Sequence, residues 1–346
     1  MTTKRPILGV TSCWVALFLS LNSLTIESLV AAEIPTRTVP NATHLSQNTM
    51  FGSRLIDGQI RVSSQNFGGS TTSSSDSGGR KETSSIVFNN GGCQIDYSLT
   101  TETETVHLEF NSNGDRAAAT VTPKANGPQI TFLQEKGACT LAAKIGDQAW
   151  DLRGDSLWHL FLAEPELCRK QLAPLLETLR PKWKMSDMAA DLESNLFKLA
   201  KGYVPEDVDK LRPLIADLGL PTYAQRRAAD RKLRDAGRTA LPFLQSLDLT
   251  KMDAEQRSRI EAILTLYLNH STDDSPEQMA AQLLGDRRIW LALLNRNELE
   301  KREQASLHLS RLLNHPLDFE PAADAKTRAE QLARMQASFN GPAKKE

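Results

Sequence analysis

Two hydrophobic periods divide the chain. Between about Gly58 and Lys144, short runs alternate apolar and polar residues. In Cys93-Gln-Ile95-Asp-Tyr97-Ser-Leu99 each odd-numbered position is apolar, and in Val106-His-Leu108-Glu-Phe110 each even-numbered one is. Ala117, Ala119 and Val121 continue the pattern, followed by Ile130 with Phe132, and by Cys139, Leu141 and Ala143. A period of two places alternate side chains on opposite faces of a strand. The runs are separated by Asn89-Asn90-Gly91-Gly92, Asn113-Gly114, Asn126-Gly127-Pro128 and Lys136-Gly137. Such pairs suit hairpin turns because glycine and asparagine tolerate positive φ. The pattern predicts an antiparallel meander of six or seven strands over 57–150. Its apolar face must be covered, by curling into a sandwich or partial barrel or by packing on helices. The stretch SSQNFGGSTTSSSDSGGR from Ser63 to Arg80 has little to bury and reads as a flexible loop. Residues 33–56, with Pro35, Pro40 and scattered Thr, Asn and Ser, read as a disordered leader.

From residue 155 onwards the apolar period becomes 3.6. Leu157, Trp158, Leu160, Phe161 and Leu162 form a first apolar face behind a cap at Asp155. A second helix begins near Pro165 and stops near Pro181, and a third carries Met188, Leu192, Leu196 and Leu199 as far as Gly202. A fourth starts near Pro205 and contains Pro213, which should kink or split it. The boundary between the β region and this helical connector, residues 151–219, is placed near residue 150. Trp150, Trp158 and Trp183 flank it and read as core of the junction rather than as a sugar platform.

A pattern Arg-x-x-Ala/Ile-x-x-x-Leu then recurs: Arg226, Ala229, Leu233; Arg257, Ile260, Leu264; Arg302, Ala305, Leu309. Offsets of three and seven lie on one helical face. The second and third copies continue into Leu268-Asn269-His270 and Leu313-Asn314-His315, and the asparagines suit left-handed helix ends. A further trial at Arg328, Gln331 and Met335 fits poorly and reads as a polar cap. The first copy also has a Gly237 break, an Ala240-Leu241-Pro242 opening to a second short helix, and Asp253 four residues before Arg257. In these features the chain resembles a HEAT-type helical repeat, over about residues 217–315. The resemblance implies stacked helices over 220–338, a tail at 339–346, and a surface that binds another protein. Arg226, Arg257 and Arg302 are candidate partner-surface or inter-repeat residues.

Composition narrows the function classes. With a net charge of −1 and 6% aromatics, the 346-residue chain lacks the basic balance and stacking platforms of nucleic-acid binders. Lys4-Arg5, the apolar run Ile7–Leu21 and Val30-Ala31-Ala32 together read as a signal peptide over 1–32, with export to a periplasmic or extracellular space. No later segment is apolar enough to span a bilayer. Cys93, Cys139 and Cys168 would remain, too few for a disulfide scaffold. Cys93 and Cys139 share strand parity. They read as buried thiols, or as one disulfide if the sheet curls to bring them together.

No catalytic motif, cofactor cradle or metal-ligand spacing stands out. His308 and His315 share a helical face without a third ligand and read as a surface pair. Cys168, nine residues after His159 and followed by Arg169-Lys170, reads as a buried structural thiol rather than a nucleophile. Thr272-Asp273-Asp274-Ser275 reads as a helix cap before Pro276. The expectation is an α+β protein: an antiparallel β-meander, then an all-α HEAT-like domain, exported and binding another protein without catalysis. The alternatives are a carbohydrate- or envelope-binding β module on a helical spacer, and a hydrolase with an unrecognised site.

Overall fold

The computed structural model describes residues 33–38, 42, 45, 51–64, 68–89, 92–202, 206–236, 240, 243–244, 247, 249–268 and 273–340. The expected signal peptide, Gly237, Asn269 and the tail beyond Asn340 lie outside them. Contacts divide the chain into Met1–Glu33 and Ile34–Glu346, and every element named below belongs to the second unit.

The β region is a two-stranded hairpin, β1 (Phe51–Ile56) and β2 (Gln59–Ser64), followed by one eight-stranded antiparallel sheet. The sheet runs in simple sequence order: β3 (Gly68–Ser77), β4 (Arg80–Asn89), β5 (Gly92–Thr100), β6 (Glu104–Asn111), β7 (Arg116–Pro123), β8 (Gln129–Glu135), β9 (Ala138–Ile145) and β10 (Gln148–Gly154). It stays open, with β3 and β10 as its two ends. The alternation read from the sequence sets which face is inside. Tyr97, Leu108, Ala119, Phe132 and Leu141 stand opposite one another across five strands, and all are fully buried. Ala119 between Leu108 and Phe132 leaves room for the two larger side chains, a large–small alternation that fills a layer without overlap.

The apolar face is covered by the hairpin and by helices, all within one continuous core. The hairpin docks through its backbone as well as its side chains. Gln134 of β8, fully buried, accepts from the Ile60 amide at 2.7 Å and donates to the Ile60 carbonyl at 2.9 Å. Its amide thus replaces a strand partner for β2. The hairpin turn is Asp57-Gly58, both at positive φ (54° and 67°). A Cβ on Gly58 would lie 2.6 Å from the Ser156 Cβ, so the turn needs glycine for its conformation and for space.

Three expectations about the β region are corrected. Residues 51–56 form β1, and Pro35 and Arg37 are tied by their backbones to Gln171 and Lys170, so the leader over 33–56 is not loose where it is described. Where it is described, the segment 63–80 is not a flexible loop: Gly68–Ser77 pairs residue for residue with β4 through a Gly78-Gly79 turn. A Ser/Thr run forms a strand here because it lies at the sheet edge, where it has to supply only backbone hydrogen bonds. The boundary near residue 150 moves to Gly154, because β10 continues to that point against β9.

The helical region comprises α1 (Leu157–Ala163), α2 (Pro165–Leu167), a π-helical turn (Cys168–Leu172), α3 (Ala173–Glu177), α4 (Met185–Lys201), α5 (Glu206–Asp217), α6 (Tyr223–Asp235), α7 (Ala254–Leu268), α8 (Pro276–Leu283), α9 (Arg287–Leu293), α10 (Leu299–Leu313) and α11 (Ala325–Asn340). Ser156, not Asp155, is the residue before α1. α5 runs through Pro213 and is not split there. Asn314 adopts the expected left-handed conformation, φ 58°, at the end of α10. Ser275 caps α8, with Pro276 in its first turn. Helices α1–α4 and α8–α10 share the core of the sheet, whereas α5–α7 close a second, separate core around Leu218, Leu233, Ile260 and Ile263. No helix among the described residues is long and apolar enough to cross a membrane.

Candidate functional site

The three recurrent arginines share one local role. Each is the fourth residue of its helix (α6, α7 and α10) and turns its guanidinium back to carbonyls five or six residues upstream. Arg226 donates to Leu220 and Pro221 at 2.8 Å each, Arg257 to Met252 at 3.3 Å, and Arg302 to Arg296 at 2.9 Å and Asn297 at 2.6 Å. Arg328, set apart as a poor match, does the same to Ala323 from the fourth position of α11. The arginine therefore clamps the turn that enters each helix, satisfying loop carbonyls that no helix bond can reach. Arg302 adds Pro321 at 2.7 Å and is buried, so it offers nothing to a partner surface. Arg226 also lies 3.3 Å from Glu255 of α7, an ion pair between neighbouring helices. Ala229 and Ile260 face the α5–α7 core, whereas Ala305 and Leu309 face the sheet-bearing core.

The cysteines are free, buried thiols. Cys93 on β5 and Cys139 on β9 are four strands apart, about 19 Å across the sheet at ~4.8 Å per strand, far beyond disulfide reach. Burial raises the thiol of Cys93, lifts that of Cys139 to about 12, and raises that of Cys168 well above its ordinary value. None is a ready nucleophile. His308 is not a surface residue: it is buried against Trp290, with ring centroids 4.2 Å apart. His315 lies beyond the end of α10, so the two do not form a pair.

Two polar clusters not singled out as sites lie at the junction. Asp273 and Asp274, just before α8, grip the β1–β2 turn. Asp274 accepts from the Asp57 and Gly58 amides, both at 2.7 Å, and from Trp158 Nε1 at 3.0 Å, while its own amide donates to Leu55. Asp273 accepts from the Leu55 amide at 2.9 Å and from Arg180 at 2.6 Å. Nearby, Ser156 Oγ lies 2.9 Å from His159 Nδ1, and His159 Nε2 lies 2.8 Å from Asp286. Burial would raise the Asp286 carboxyl, but His159, with Arg288, holds it below its usual range. Ser–His–Asp is a hydrolase combination, yet here the serine and histidine are buried beneath Gly154, whose Cβ would lie 2.2 Å from that of His159. A nucleophile needs room for a substrate carbonyl and donors for its oxyanion, and this serine has no open side. The line serves to tie α1 to α9. The local signal for it, Ser156-x-x-His159, is too short and common to stand out, and its carboxylate is 127 residues away.

One open feature is a groove of about 610 Å³ between α1–α2 and α4, lined also by the start of α10. Phe161, Leu162, Pro165, Ala189 and Phe197 supply apolar floor. Charged residues form the rim, and its carboxylates are paired. Glu166 lies 2.6 Å from Arg169, Glu193 lies 2.7 Å from Arg296 and 3.0 Å from Lys301, and Glu300 lies 3.6 Å from Lys201. Arg296 also donates to the Leu162 carbonyl at 2.6 Å, which fixes the end of α1 against the rim. Burial opposes the charge of Lys301, but hydrogen bonds to Glu193 and Glu298 raise its pKa overall. Glu164, beside this network, has its carboxyl raised by burial, with Arg296 acting against the shift. The helical period marked α1 and α4 as amphipathic, but nothing in it said that their facing surfaces would leave a gap.

Among the described residues no group of three His, Cys, Asp or Glu side chains could hold a metal ion. No protein-family model, no curated protein and no solved structure matches the chain.

Proposed function

We propose that this is an exported, non-catalytic binding protein whose ligand seat is the groove between α1–α2 and α4. The observation that carries this reading is the groove itself: an apolar floor inside a charged rim whose carboxylates are paired, within the 300–1,000 Å³ usual for small-ligand sites. Export rests on the basic, apolar and small-residue sequence at the chain's start. The expected protein-binding surface built on the repeat arginines has less support, since those side chains are occupied with their own turns. The enclosure of Ser156 disfavours a hydrolase built on the Ser156–His159–Asp286 line. The sheet's aromatics Tyr97, Phe110 and Phe132 are fully buried, which disfavours a carbohydrate platform there. A neutral apolar dye such as Nile red tests the seat. Its fluorescence should rise saturably with the purified chain and fall at least tenfold in Ser194→Trp, which fills the groove from an exposed position of α4. Equal dye binding by the variant would refute the reading.

A further inference from the structure

The groove's charges point beyond an unspecified ligand. Its lining holds four cations, Arg169, Lys198, Lys201 and Lys301, and three carboxylates, Glu166, Glu193 and Glu300. The carboxylates are more than matched. Glu166 has a second cation, Lys170, at 3.4 Å, and Glu193 is shared between Arg296 and Lys301. Lys198 is different: it lines the groove, is exposed, and has no carboxylate partner among the described residues. It lies one turn along α4 from Ser194, which also lines the groove, and directly follows Phe197, whose buried ring belongs to the floor. The complement of an apolar trough lined by an ammonium with no carboxylate partner among the described residues is a chain-like apolar body with one anionic head.

Resting on the binding reading above, we propose that the groove takes a single-chain amphiphilic carboxylate, its alkyl chain along Phe161, Leu162, Ala189 and Phe197 and its head group at Lys198. The apolar contacts supply most of the affinity. Each methylene buried contributes about 0.8 kcal/mol, so shortening the chain by two should weaken binding roughly tenfold. The ion pair lies at the rim, where solvent screens it, and should contribute roughly fivefold.

Isothermal titration of the purified chain with dodecanoate, decanoate, dodecanol and dodecyltrimethylammonium, all below their aggregation concentrations, tests this. One saturable site is expected for dodecanoate, with decanoate about tenfold weaker. Lys198→Gln should weaken dodecanoate about fivefold and leave dodecanol unchanged. Ala190→Trp should abolish both, with Ser194→Trp as the second blocking variant should the first not fold. The proposal is overturned if dodecanoate shows no saturable binding, if the ammonium amphiphile binds as tightly as dodecanoate, or if Lys198→Gln binds dodecanoate as the parent does. Binding to anionic phospholipid vesicles that both blocking variants retain, without binding of free dodecanoate, also overturns it in favour of a membrane surface. Nile red binding that is lost in Ser194→Trp but not displaced by dodecanoate would remove this ligand class and leave the groove reading standing.

Discussion

The sheet-bearing core and the α5–α7 core use the same repeated helix pattern under different conditions. In the first, Arg302 is buried, its helix carries the buried His308, and the layer is tied to a hairpin more than 200 residues earlier through Asp274. In the second, Arg226 and Arg257 hold their turns near solvent, and ion pairs such as Arg234 with Asp230 and Arg259 with Glu255 are short-range. The difference teaches that Arg-x-x-Ala-x-x-x-Leu encodes how a helix is entered and which face it buries, not which neighbour it meets. Long-range polar contacts decide that, and they concentrate in the first core.

The largest expected effect tests this concentration. Asp274→Ala leaves two backbone amides and the Trp158 indole without their acceptor in a buried site. It should cost about 3 kcal/mol or more, whereas Asp230→Ala on α6 should cost less than 1 kcal/mol. Equal losses in chemical denaturation would abolish the distinction between the cores.

The pH dependence follows next. Burial, aided by the charge of Arg311, lowers the pKa of His308 to about 4, against about 6.5 when unfolded, while a hydrogen bond to the Leu284 carbonyl opposes the shift. The folded state prefers the neutral ring. Its stabilising contribution is therefore complete above pH 6.5 and is lost as pH falls from 6.5 to 4, by about 3 kcal/mol in all. Residues 206–268 of the second core contain no histidine. Unfolding monitored over that window should show the loss in the parent and a flatter slope in His308→Leu; an unchanged slope would refute the assignment.

Smaller effects grade the arginines. Arg302→Ala should cost about 2–3 kcal/mol, because three carbonyls in a buried turn lose a charged donor. Arg226→Ala should cost about 1 kcal/mol, and the exposed Arg257→Ala about 0.5 kcal/mol or less. The reverse order would mean that burial does not set the strength of the clamp. The smallest change expected is at the sheet edge, where Ser74→Ala should alter stability by less than about 0.5 kcal/mol.

Much of this was legible in the sequence because it depends on local period. The parity of Cys93 to Leu99 and of Val106 to Phe110 named the inward face of two strands, and Pro276 and Asn314 marked helix ends. What stayed hidden depends on distance or on context. Gly68–Ser77 reads as a linker by composition, yet a strand needs no apolar side chain where its partner supplies the ladder. Asp273 and Asp274 read as a cap because the turn that they hold lies more than 200 residues away. The buried His308 resembles a surface histidine because its helix is enclosed on a side that its own sequence does not show. The groove escaped for a related reason: amphipathic faces are visible in a sequence, but a gap between two of them is not.

The central claim, that binding belongs to the groove and not to the α5–α7 helices, can be put to one paired measurement. Ala190 on α4 and Ala228 on α6 are both exposed alanines on helices. Nile red titrated against Ala190→Trp and Ala228→Trp should lose its saturable fluorescence with the first and keep parental affinity with the second. Retention by Ala190→Trp together with loss in Ala228→Trp would move the site to the second core and contradict the account.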